Sequence, residues 1–226
     1  MKKVVISMAI LFSAPAFADY SPHFFLGGNL GFDIEVYDDP FEEKYAPGGH
    51  LKFGTEAGVK FGGNDNIYNI GIAAFVDKSF SASTDKNTAQ EYANEIVEVA
   101  GGTGYCKVYN CSNILNADLA SENTMYGIIV DNYIRFGIAE YESGITHYPY
   151  LVLGLGYANV IHKTEIQFSK ALNYKASNKE TKGAPVFRFG FALNFNDNFG
   201  ANAGMRFFIF ENATFTNFDV GMKYTF

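Results

Sequence analysis

The segment Phe215–Phe226, FTNFDVGMKYTF, puts Phe218, Val220, Met222, Tyr224 and Phe226 on every second position. Asp219, Gly221, Lys223 and Thr225 fill the gaps. A period of two marks a strand with one apolar and one polar face. Seven segments upstream repeat the pattern. The first, His23–Glu35, sets Phe24, Leu26, Leu30, Phe32 and Ile34 against Phe25, Gly27, Asn29, Gly31, Asp33 and Glu35. The second, His50–Phe61, sets Leu51, Phe53, Ala57, Val59 and Phe61 against Lys52, Glu56 and Lys60. The third runs from Ile67 to about Phe80, with Tyr68, Ile70, Ile72, Ala74 and Val76 on one face.

The fourth, Asn123–Ile138, opposes Tyr126, Ile128, Val130, Ile134 and Phe136 to Asp131, Tyr133 and Arg135. In the fifth, Tyr148–Ile161, Leu151, Leu153, Leu155 and Tyr157 face away from Gly154, Gly156 and Ala158, while Val152 blurs the assignment. The sixth, Ala184–Phe195, alternates Phe187, Phe189, Phe191 and Leu193 with Arg188, Gly190 and Ala192. The seventh, Phe199–Phe210, opposes Ala201, Ala203, Met205, Phe207 and Ile209 to Asn202 and Arg206. Gly62–Asn66 and Asn194–Asn198 read as tight turns. The segments 81–122 and 162–183 read as long connections. Within the former, NTAQEYANEIVEVA is compatible with a short helix. The fold expected is all-β: a closed, antiparallel, up-and-down barrel of eight strands with long loops at one end.

The first 18 residues, MKKVVISMAILFSAPAFA, have the layout of an export signal. Lys2 and Lys3 precede an apolar run, and Ala16-Phe17-Ala18 forms a cleavage site. The apolar run is too short to cross a bilayer as a helix. Residues 1–18 are therefore expected to be removed, leaving 19–226 as one domain. Two of the 17 basic residues and none of the 24 acidic ones leave with the signal, so the chain's −7 becomes about −9. An acidic balance argues against a nucleic-acid partner. Glycine (23), phenylalanine (23) and tyrosine (15) are plentiful, as suits strands that bend and carry aromatic girdles. In an exported chain, Cys106 and Cys111 are expected to pair as a disulfide closing a small loop. A two-thiol metal site lacks nearby partner ligands.

Alternation does not say which face meets solvent. A soluble sandwich or lipocalin-like barrel would bury the apolar face; a membrane barrel would turn it to lipid. The export signal, the loop-length asymmetry and the terminal Phe226 favour the membrane. The chain resembles small eight-stranded outer-membrane β-barrels of the OmpA/OmpX-like superfamily. The resemblance is carried by Ala16-Phe17-Ala18, by PYLVLGLGY at Pro149–Tyr157 and by VGMKYTF at the terminus. It implies that Val220, Met222, Tyr224 and Phe226 are a signal read by the barrel-assembly machinery. It also implies an integral outer-membrane location with periplasmic termini, lipid and lipopolysaccharide as surroundings, and a structural or adhesin-like surface role. It brings no catalytic residue and no cofactor. No segment after the last strand corresponds to a peptidoglycan-binding domain.

With the apolar faces outward, Asp33, Glu35, Lys52, Glu56, Lys60, Asp131, Arg135, Arg188, Arg206, Asp219 and Lys223 fill the lumen. Eight strands leave room for little beyond side chains. A closed polar network is the favoured expectation, and a narrow channel for small solutes is the alternative. Histidines 23, 50, 147 and 162 begin no H-x-S element of the outer-membrane lipid hydrolases. His162-Lys163-Thr164 is the nearest approach, and His162 with Glu165 near the outer rim is the weak candidate for lipid-modifying chemistry. The loop holding Tyr92, Tyr105 and Tyr109 is either a binding surface for host or environmental molecules or a solvated cap.

Overall fold

The structure is a computed structural model and describes residues 21–37, 50–64, 66–81, 115–140, 146–170, 174–211 and 213–226. Among the described residues nine strands run in chain order. They are β1 (Pro22–Tyr37), β2 (His50–Phe61), β3 (Tyr68–Ser81), β4 (Leu115–Arg135), β5 (Ala139–Glu140), β6 (Thr146–Lys170), β7 (Tyr174–Asn194), β8 (Phe199–Ile209) and β9 (Ala213–Thr225). The two-residue β5 pairs only with the start of β6. The other eight form a ring in the order β4-β3-β2-β1-β9-β8-β7-β6, closed by pairing of β4 with β6. Neighbours are antiparallel throughout, with no helix among the described residues. Closure leaves no open sheet edge at bilayer depth, where an unpaired backbone group would cost several kcal/mol (~4–8 against an alkane-like medium).

The terminal strand does what its alternation suggests. It pairs with β8 from Phe199↔Tyr224 to Ile209↔Thr214 and closes on β1 from Phe25↔Thr225 to Tyr37↔Ala213. Gly31 makes that closure possible. A Cβ there would run into the backbone of Phe218, so the two strands approach only because no side chain intervenes.

Burial settles which face is outside. Phe24 (62% exposed), Leu51 (58%), Ile128 (59%) and Met222 (62%) point outward, while Lys52 and Asp77 are fully buried. So large an apolar surface over a charged interior is inverted relative to a water-soluble barrel, and only lipid accommodates it. Val152, ambiguous in the sequence, is inward and 2% exposed.

Three strands outrun the sequence reading. The polar segments 115–122 and 162–183, read as loop, are largely ladder. β6 and β7 pair without a break from Tyr148↔Asn194 to Phe168↔Tyr174, and β4 accompanies β6 up to Leu115↔Lys170. The apolar alternation stops because these rows lie beyond the lipid band, but backbone pairing continues. β3 leaves β4 at Phe80↔Glu122, and β8 meets β7 only from Val186↔Phe208. Above those rows β4, β6 and β7 stand as a three-stranded sheet. The segment 87–100 and both cysteines lie outside the described residues.

Candidate functional site: a filled lumen and a raised sheet

The barrel has a terminal rim, where Pro22, Phe226 and the Gly62 and Asn194–Asn198 turns lie, and a loop rim at the opposite end. Between them the inward charges gather into two sets. Nearer the loop rim, Arg206 binds Asp77 at 2.8 Å and Asp219 at 2.9 Å. Lys52 binds Asp219 at 2.9 Å and lies 3.6 Å from Asp77. Nearer the terminal rim, Arg188 contacts Glu56 and Asp131, each at 3.0 Å. Lys223 reaches Glu56 at 3.1 Å and donates to the Tyr133 hydroxyl at 2.9 Å. Each set holds two cations and two carboxylates, so each is neutral. Aromatic faces cover the cations: Arg206 lies 4.8 Å from the Phe75 ring centroid, and Lys223 lies 4.0 Å from that of Phe25.

Glycines make the space. A Cβ on Gly54 would strike the Asp77 carboxylate, and one on Gly154 would strike that of Asp131. Partner strands thus give up side chains where an inward charge must cross the lumen.

The terminal mouth is closed by a turn. Gly62 has φ of +104°, a conformation that glycine adopts without strain, and it carries the chain into the β2–β3 turn at Asn64. The Asn64 carbonyl accepts from Arg135 at 2.6 Å and from the Tyr150 hydroxyl at 3.2 Å. Its side chain accepts from Asn194 at 2.6 Å and donates to Asp197 at 3.0 Å. One residue therefore ties the turn to β4, β6, β7 and the β7–β8 turn.

The predicted lumen residues divide by position. Lys52, Glu56, Asp131, Arg188, Arg206, Asp219 and Lys223 form the two sets. Arg135 does not join them: it lies at the terminal mouth on Asn64, with its guanidinium 5.9 Å from the Tyr148 ring centroid. Lys60 is also near that mouth, 5.7 Å from the Tyr150 ring centroid. Asp33 is fully buried, in register with His50 and Asn217. For Glu35 the backbone alone is described, paired with Phe215. Asp77 joins the charged sets from β3; its parity with Asn69, Ala73 and Phe75, opposite the apolar face of that strand, places it inside. Asn64 carries no signal beyond membership of a turn.

The interior is not polar throughout. Phe75, Met125, Ile129, Val160, Val186, Phe208 and Phe215 form a buried apolar cluster on the inner wall toward the loop rim. Alternation does not reveal this cluster, because on β4, β6 and β7 both faces are apolar at these rows.

His162 and Glu165 do not form a pair. Strand alternation turns them to opposite faces of β6: the His162 Nδ1 and the Asn123 Oδ1 lie 2.6 Å apart, while Glu165 bonds Lys163 at 2.6 Å and holds that ammonium above its ordinary pKa. His50 is wholly buried, 3.2 Å from the Ser121 hydroxyl.

Val220 (61% exposed), Met222 (62%), Tyr224 (38%) and Phe226 (70%) all face outward. The Tyr224 ring touches those of Phe199 and Phe226, both with centroids 4.9 Å away. These rings belong to an aromatic band around the terminal rim.

An eight-stranded closed barrel with a lipid-type outer face and a lumen filled by ion pairs is an integral outer-membrane β-barrel. Residues 4–226 match the family described as "Outer membrane protein beta-barrel domain", and the chain belongs to that family. It is a small barrel of the OmpA/OmpX-like kind. Among solved structures it is similar to Ail, the attachment invasion locus protein of Yersinia pestis, at 12% identity and TM-score 0.44, over 92% of this chain and 100% of that one. It is also similar to Neisserial surface protein A at 10% identity and TM-score 0.43, over 90% and 97% of the two chains. A major outer membrane protein from Thermus thermophilus shows 10% identity and TM-score 0.45, over 92% and 100%. No curated protein matches the chain in sequence.

Proposed function

We propose that the protein is a non-enzymatic surface barrel that presents the raised β4–β6–β7 sheet to ligands outside the cell, over a lumen that does not conduct. The carrying observation is the sheet itself. β7 continues for 12 residues, Tyr174–Pro185, beyond its last pairing with β8. That is roughly 40 Å of extended chain at about 3.3 Å per residue. Lys179, Glu180 and Lys182 along it are gatekeeper charges of the kind that keep an exposed edge soluble, and an edge of this type pairs readily with an extended peptide.

In this reading the termini are periplasmic and the raised sheet is extracellular. The signal of residues 1–18 is removed before assembly, which the barrel-assembly machinery carries out on recognising the Val220–Phe226 motif. Outer-membrane lipid and lipopolysaccharide surround the outward aromatics, and Cys106 pairs with Cys111 in the stretch of sequence between β3 and β4.

The test removes residues 165–177, which leaves Thr164 beside Asn178, partners already in the ladder. Intact cells carrying either form are compared for trypsin cleavage at Lys179 and Lys182 and for attachment to host-cell and matrix surfaces. Cleavage without permeabilisation and loss of attachment on deletion are expected. Unchanged attachment refutes the surface role, and protection from trypsin refutes the orientation. Steady single-channel steps from purified protein in planar bilayers would instead favour the small-solute channel.

A further inference from the structure

The barrel wall changes height abruptly beside β8. β7 rises past Val186, while the β8–β9 hairpin turns back at Glu211. The step leaves a cleft of about 430 Å³, within the ~300–1,000 Å³ usual for small-molecule sites. Its two ends differ in chemistry. The floor is apolar: Val160 and Phe215 belong to the buried inner cluster, and the tilted rings of Phe210 and Phe215 lie 4.9 Å apart. The upper lining carries His162, Glu180, Lys182 and Glu211, with Lys182 and Glu180 paired at 3.1 Å and largely exposed.

Two features place the cleft against the membrane. Ile209 lines it yet sits on the outward face, 43% exposed, so the cleft is continuous with the lipid-facing surface. The ring of Tyr157 lies on Gly183, another lining residue, and is itself 59% exposed on the outer wall. An outward tyrosine above a band of leucines marks the boundary between hydrocarbon and water. The apolar floor and the charged upper lining thus meet at the depth where an amphiphile changes from chain to head.

We propose that this cleft holds the alkyl chain of an amphiphile. The chain enters past Ile209 and lies on Phe210, Phe215 and Val160, with the head group among Lys182, Glu180 and Glu211. The Lys182 ammonium suits a head that carries a phosphate or carboxylate. The source is either an acyl chain of a neighbouring membrane phospholipid or a free fatty acid.

Photolabelling of the whole barrel in phosphatidylcholine nanodiscs tests this. One arm carries a diazirine on the phospholipid acyl chain; the other adds diazirine-bearing palmitic acid to unlabelled nanodiscs. Residue-resolved mass spectrometry compares inward Phe210 and Phe215 with outward Phe218 and Val220, which report ordinary lipid contact. Labelling of Phe210 and Phe215 is expected in at least one arm, and the arm identifies the source. Ala213→Phe, which fills the cleft, and Ile209→Gln, which makes its entrance polar at an exposed site, should each lower that labelling about tenfold, the factor two buried methylenes supply. Folding of both variants is checked by far-UV circular dichroism. Labelling confined to Phe218 and Val220 in both arms overturns the proposal, as does labelling of Phe210 and Phe215 that neither variant changes.

Discussion

Replacing Arg206 with methionine should be among the most damaging single changes in the lumen. The side chain is 1% exposed, and its guanidinium holds Asp77 at 2.8 Å and Asp219 at 2.9 Å. Methionine fills a similar volume, so the change isolates charge from packing. It leaves two buried carboxylates with one ammonium, that of Lys52, which is 2.9 Å from Asp219 but 3.6 Å from Asp77. Breaking a buried pair by removing one partner costs about 3–5 kcal/mol, because the remaining charge stays desolvated. Arg206→Met should therefore lower stability by that amount. Adding Asp77→Asn restores neutrality, with Lys52 facing Asp219 alone, and should recover about half of the loss, ~2 kcal/mol. The chain has no tryptophan, so far-UV circular dichroism of refolding into lipid vesicles across a urea series is the suitable assay. If Arg206→Met costs under about 1 kcal/mol, or the double variant is additive, the charge-balance account of the lumen fails.

Other expectations are as direct. Asn64→Ala removes two side-chain hydrogen bonds at the terminal mouth and should cost about 1–3 kcal/mol in the same assay. Exchange of the Arg135 and Tyr150 side chains with solvent, read by NMR, should rise with it. Lys78→Ala breaks an outward pair with Glu122 at 2.8 Å; at 48% and 33% exposure the change should stay under ~1 kcal/mol, and a larger effect would show the pair to be shielded by lipid. Phe226→Gln should sharply reduce barrel recovered from cell outer membranes; equal recovery would remove the assembly role of the terminal motif. Intact-mass measurement of protein from the outer membrane should give a chain that begins at Asp19.

Much of the fold can be read from residue type and parity. A strand has only two faces, so alternation from Phe218 to Phe226, from Phe187 to Leu193 and from Leu51 to Phe61 identifies strands and says which residues travel together. It places Lys52, Glu56, Arg188, Asp219 and Lys223 on one side and Phe53, Phe187, Phe189, Phe191, Phe218, Tyr224 and Phe226 on the other. It also supplies the strand number, and with it closure of the last strand on the first. Where both faces are apolar, as at Val152 and Val160, or where the chain is polar outside the lipid band, as in 162–183, the pattern carries no contrast. There the sequence determines little.

The three-dimensional structure decided what alternation cannot. A one-dimensional pattern does not contain barrel tilt or stagger, and those fix which inward charges from distant strands meet. They brought Asp77 of β3 to Arg206 of β8 and Lys223 of β9 to Glu56 of β2, and left Arg135 at the mouth with Asn64. Unequal strand heights arise in the same way. Backbone hydrogen bonding sustains β4, β6 and β7 past the lipid band without any apolar periodicity, because a ladder needs paired amides and not a hydrophobic face. The residues of the chain thus determine a membrane barrel with a charged interior; the way its strands stagger determines the neutral sets inside, the capped mouth and the step in its rim.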